Sequence, residues 1–91
     1  MAVRTVSKGQ QAKQEIEAEL AKTDPGVTPH LDVMALDVSD LASIDQFVRD
    51  FTAKYNVLHL LVNNAGVTAQ KLQLSAQGHE TTFAVNYLGP F

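Results

Sequence analysis

A chain of 91 residues, 45% hydrophobic and 19% charged, falls among globular sequences and has room for one small domain at most. A formal net charge of -3 gives no basis for a nucleic-acid or anionic-membrane partner, since both favour basic patches. With no cysteine, the chain has neither a disulfide framework nor a thiolate metal site.

In chain order, "MAVR" reads as the tail of a strand. Ser7 to Lys22, rich in Gln, Glu, Lys and Ala, predicts a helix, with Ala12, Ile16 and Leu20 as a narrow apolar stripe. Gly9 weakens its beginning and places the expected start beyond it. Thr23 to Pro29 is a loop, because Asp24-Pro25-Gly26 supplies turn geometry and Pro29 resists regular pairing. Leu31 to Leu36 reads as a strand that is apolar on both faces, as in a parallel sheet covered by helices. The next stretch, "SDLASIDQFVRDFTAKY", is the clearest helix: Asp40 is the expected N-cap, and Leu41, Ile44, Phe47, Val48 and Phe51 share one face. "LHLLV", Leu58 to Val62, predicts a second buried strand ended by Asn63, and Thr68 to Leu74 a loop. A last helix is expected from about Ser75, with Phe83, Val85 and Leu88 apolar, stopping near Pro90.

This alternation implies an α/β architecture with parallel strands and helical crossovers. Ligands of such open sheets bind outside the carboxyl ends of the strands. The polar interruptions fall there: Arg4 after the first strand, Asp37 after the second, and Asn63 to Gly66 after the third. Taken singly, Asn63 and Asn64 read as turn residues and Arg4 as a solvated charge. The histidines, His30, His59 and His79, read as surface or packing residues. "HETTF" lacks the second histidine of a metalloprotease helix, and no metal site is expected.

Four segments, in order and spanning nearly the whole chain, resemble the short-chain dehydrogenase/reductase family: "AVRTVSKG", "LDVSDLASI", "NNAG" and "GHETTFAVNYLGPF". The first is similar to the retinol dehydrogenase and WW-domain oxidoreductase branch. The resemblance implies a partial Rossmann-like, NAD(P)-binding domain over residues 1–91, which lacks the first strand and the C-terminal half. It implies a nicotinamide cofactor, NADP in preference to NAD. Arg4 would pair with its 2′-phosphate and Lys8 would add a second positive charge; a forked, permanently charged guanidinium suits a phosphate. An NAD 2′-OH would call for an acid near that strand end, and none is present. Asp37 and the Val38 N–H would read the adenine. Asn63 and its neighbour would tie adjacent strands together, and Ala65 and Gly66 would leave room for the cofactor. Asn86 would hold a water in a catalytic proton relay. The implied reaction is hydride transfer between nicotinamide and an alcohol or carbonyl, with the branch resemblance pointing to a small lipophilic molecule such as a retinoid.

Two parts of the family pattern are missing from these residues. The five glycines, at 9, 26, 66, 78 and 89, do not make the pyrophosphate-binding turn. Nor is there a Tyr-x-x-x-Lys pair, since Tyr55 is followed by His59 and Tyr87 by Phe91. Residues 1–91 alone are therefore expected to show no turnover, and the missing central strand is expected to leave unpaired strand edges. A non-catalytic product that associates with intact family members is the first rival reading, and a small unrelated α/β binding module the second. No apolar run is long enough to span a bilayer and no secretory leader is visible, so a cytoplasmic setting is expected, with anchoring through flanking sequence left open.

Overall fold

Two short strands pair in parallel: β1 (Ala2–Val3) against β2 (Met34–Ala35), with Ala2 opposite Met34 and Val3 opposite Ala35. In the computed structural model, which describes residues 1–91, they belong to the first of two units, Met1–Leu36 and Asp37–Phe91. The strands are joined through α1 (Val6–Thr23), so the first unit is a parallel β-α-β element, as the sequence led us to expect. The Met34 N–H donates to the Met1 carbonyl and the Leu36 N–H to that of Val3, both at 2.8 Å. Regular pairing covers less than the expected Leu31–Leu36, because β1 offers only two residues to pair with.

Helix α1 begins at Val6 rather than beyond Gly9. Gly9 lies inside it and is buried. A Cβ there would come within 2.6 Å of Val33 Cγ1 and 2.7 Å of Val3 Cγ2, so the missing side chain lets α1 lie close on both valines. The helix ends where expected: the Asp24 N–H closes on the Leu20 carbonyl, Pro25 follows, and the Val27 N–H donates to the Asp24 carbonyl in the turn.

In the second unit α2 spans Leu41–Lys54. Asp40 caps it as expected, with Oδ1 accepting from the Ala42 N–H at 3.0 Å. Its aromatic residues form a row, Phe47–Phe51–Tyr55, with ring centroids 5.9 and 4.9 Å apart. The expected strand Leu58–Val62 does not form. These residues pair with no strand, and Leu60 and Val62 are 77% and 70% exposed. Strands are stabilised by ladder partners, and no other segment of the second unit supplies one.

The expected helix from Ser75 is also corrected. Residues 75–78 form a turn in which the Gly78 N–H donates to the Ser75 carbonyl, and Gly78 adopts φ +82°, a region that favours glycine. An isolated antiparallel bridge pairs Leu74 with Glu80 across this turn. The helix, α3, starts at Thr81 (Thr81–Phe83) and runs into a π-helical turn, Ala84–Leu88, closed by the Gly89 N–H on the Ala84 carbonyl at 2.8 Å. Glu80 caps α3 by accepting from the Thr82 and Phe83 N–H groups, both at 2.9 Å. Ala84 and Val85, 3% and 7% exposed, are the buried apolar side chains. Along the outer side run Phe83, Tyr87 and Phe91, stacked with centroids 5.1 and 6.0 Å apart. No helix is long and apolar enough to cross a membrane.

Candidate functional site

The candidate residues divide between the units. Arg4 and Lys8 lie in the first; Asp37, Val38, Asn63, Ala65, Gly66 and Asn86 lie in the second.

In the first unit, Arg4 follows β1 directly and Lys8 stands in the first turn of α1. With Thr5 and Gly9 they line an open cavity of about 330 Å³. Both cations are exposed, and neither forms an ion pair. Thr5, at the N-cap, makes no side-chain capping bond, and the first turn holds no acid. Helix N-termini carry partial positive charge from their unbonded N–H groups, so cations there are unfavourable and anions favourable, by roughly 0.3–1 kcal/mol each when exposed. The chemistry of this donor set fits a phosphate: a forked guanidinium and an ammonium line one cavity at a helix start, with no acid in the first turn.

In the second unit, Asp37 sits in the segment before α2 and is fixed from that helix. Its N–H donates to Ser43 Oγ at 2.8 Å, and Ser39 donates to Asp37 Oδ1 from its N–H at 2.9 Å and its hydroxyl at 2.6 Å. Oδ2 accepts nothing from the chain, so one carboxylate oxygen remains for an outside donor.

Asn63, Ala65 and Asn86 come together with Tyr87, Pro90 and Phe91 around an open cavity of about 370 Å³. The strand tie expected of Asn63 and Asn64 is not present, because their run has no strand beside it. The following residues are instead held by the last helix. Asn86 Oδ1 accepts from the Val67 N–H and Asn86 Nδ2 donates to the Val67 carbonyl, both at 2.8 Å, while Thr82 Oγ accepts from the Ala69 N–H at 3.1 Å. Asn86 keeps one further lone pair and one further N–H after this pairing, enough to hold a water. A Cβ at Gly66 would meet only Asn86 Oδ1, at an ordinary 3.5 Å, so packing within the chain does not require glycine there.

Two carboxyls of this unit are held below their ordinary range. The Gln77 amide first, and the Ala42 N–H second, lower that of Asp40; the Phe83 and Thr82 N–H groups lower that of Glu80. Sequence reasoning missed Gln77, Val67 and the two serines around Asp37. Single polar residues in loops carry no periodic signal, and their roles appear only once the loops meet helices.

The family model described as short chain dehydrogenase matches residues 1–91. The chain is 41% identical over its full length to retinol dehydrogenase 12 of Bos taurus, covering 27% of that protein. It is 36% identical over 96% of its length to a short chain dehydrogenase of Penicillium terrestre, covering 26% of it. It is 36% identical over its full length to the WW domain-containing oxidoreductase of Gallus gallus, covering 20% of it. The chain thus spans about a quarter of the length of the curated relatives it matches.

Proposed function

The chain belongs to the short-chain dehydrogenase family, and from that premise we propose that it is part of an NADP-preferring oxidoreductase acting on an alcohol or carbonyl. The observation that carries the NADP preference is the pair of unpaired cations at the uncapped start of α1. Arg4 would clamp the 2′-phosphate and Lys8 would add charge. Asp37, through Oδ2, and the Val38 N–H would hold the adenine edge. Ala65 and Gly66 would give the cofactor close approach, with Asn63 beside them. A bound nicotinamide would supply or accept the hydride. Asn86 would hold a water on the path of the accompanying proton. Residues 1–91 contain no Tyr-x-x-x-Lys, so no NADPH oxidation above blank is expected from them alone. The similarity to retinol dehydrogenases supports a lipophilic substrate such as a retinoid, and the reading includes a cytoplasmic setting with anchoring through flanking sequence left open. The test is calorimetric titration of the natural protein with adenosine 2′,5′-bisphosphate and with 5′-AMP. Tighter binding of the bisphosphate supports the reading, and equal or reversed affinity rejects it.

A second reading is favoured by the unpaired apolar run through Leu60 and Val62. It is a non-catalytic role in which a strand of an intact short-chain dehydrogenase pairs with this run. A clean monomer in sedimentation, with no capture of an intact family member, would sink it. The third reading, an unrelated binding module, is set aside by the family match.

A further inference from the structure

Gly89 has helical dihedrals, φ -62° and ψ -51°, which any residue adopts. Its conformation therefore does not ask for glycine, but its neighbour does. A Cβ at position 89 would fall on the Val38 carbonyl oxygen and within 3.0 Å of both the carbonyl carbon and Val38 Cβ. The colliding atoms are backbone, so no rotamer change relieves the clash.

Both sides of this contact are constrained. On one side, the segment holding Val38 is tied to α2 through the Asp37 N–H on Ser43 and capped by Ser39 on Asp37 Oδ1. On the other, Gly89 closes the π-helical turn with its own N–H on Ala84, three residues after Asn86. An added methyl group must therefore move either the Asp37–Val38 edge or the turn that carries Asn86.

We propose that Gly89 is a positioning residue for the adenosine half of the cofactor, its bare Cα setting where the Asp37–Val38 edge stands against the turn of Asn86. This rests on the role given above to Asp37 and Val38, and the two fail in different ways. The natural protein and its Gly89→Ala variant are titrated with adenosine 2′,5′-bisphosphate and, separately, with reduced nicotinamide mononucleotide. The expected result is a loss of roughly tenfold in bisphosphate affinity with less than about twofold change for the mononucleotide.

If the unaltered protein does not bind the bisphosphate, the cofactor reading falls and this proposal with it. If it binds, and Gly89→Ala binds equally well or loses both halves in parallel, the positioning role alone is overturned. Where Gly89→Ala does not fold, Ser43→Ala loosens the same edge from the α2 side without adding an atom. A loss confined to the bisphosphate and restored in Ser43→Thr supports the proposal; unchanged affinity in Ser43→Ala overturns it.

Discussion

Gln77 holds Asp40 from 37 residues away: its amide Nε2 donates a hydrogen bond of 2.9 Å to Asp40 Oδ1, while its Oε1 accepts from the Leu41 N–H at 3.1 Å. The turn at 75–78 thereby serves as an external cap for α2, adding a partner for one of the N–H groups that every helix start leaves unbonded. Because Gln77 is the larger cause of the lowered Asp40 carboxyl, the contact has a pH signature. A carboxyl depressed on folding stabilises above its unfolded value and loses that contribution as pH falls through the folded one. For Asp40 the ordinary value is 3.8.

Replacing Gln77 with Leu should therefore lower the melting temperature of the natural protein at neutral pH. The gap from the unaltered protein should narrow as the pH is brought below the ordinary carboxylate value of 3.8. A gap that stayed constant down to full protonation would show that the amide does not act through Asp40.

Asn86→Ala removes both hydrogen bonds to Val67. At about 0.5–1.5 kcal/mol for each bond, the expected cost is about 1–3 kcal/mol, localised in the 65–69 segment. Amide hydrogen exchange at Val67 should accelerate while exchange within α2 is unchanged. Uniform acceleration would mean that the pair is not a local clasp. Asn86→Asp keeps the acceptor for the Val67 N–H but sets a second acceptor against the Val67 carbonyl, so it should restore little.

Arg4→Ala tests cofactor choice. A hydrogen bond to a charged group contributes about 1.5–3 kcal/mol, so under the proposed reading the ratio of NADP to NAD affinity should fall by roughly tenfold to a hundredfold. The change should appear in KM for NADP, with KM for NAD little altered. Lys8→Ala should have a smaller effect of the same sign, as expected of a point charge without a fork. Equal effects on both cofactors would place Arg4 away from the 2′-phosphate.

Gly9→Ala sets two effects against each other. Alanine in a helix interior favours α1 by about 1 kcal/mol. The new methyl would stand 2.6 and 2.7 Å from methyl groups of Val33 and Val3, both on side chains stiff at χ1, and overpacking costs about 1–3 kcal/mol. Packing should win, giving a net loss of stability by thermal melting; a more stable variant would show that the helix can lift off β1 and β2 without penalty.

What could be read in advance divides along local and non-local lines. Helix α2 announced itself through five apolar residues on one face and an aspartate at its start, and all of that information lies within the helix. Leu58–Val62 has an equally clear apolar pattern, yet forms no strand, because pairing depends on a second segment rather than on the run itself. Around Ser75 the apolar pattern of Phe83, Val85 and Leu88 predicts a helix that starts several residues earlier than the observed Thr81. The Ser75–Gly78 turn and the Glu80 cap were present in the letters, but apolar periodicity outweighed them. At the candidate site, Asp37, Asn63, Ala65 and Asn86 were marked by a motif resemblance. Gly89 carries no signal in the sequence beyond not belonging to a glycine-rich turn, and its contact with Val38 is visible only once the two backbones are placed together.

The two aromatic rows have an optical consequence. The chain contains no tryptophan and two tyrosines, and each tyrosine stands in a different row. Tyr87 is stacked between Phe83 and Phe91 and forms part of the cavity wall with Asn63 and Asn86, whereas Tyr55 ends α2 with the Lys54 ammonium 5.5 Å from its ring centroid. The tyrosine bands in near-ultraviolet dichroism and the tyrosine emission of this chain therefore come from one residue at the cavity and one beside a helix end. A molecule entering beside Asn86 would change the Tyr87 signal against that of Tyr55, so occupancy can be followed by the protein's own light without a dye or a label.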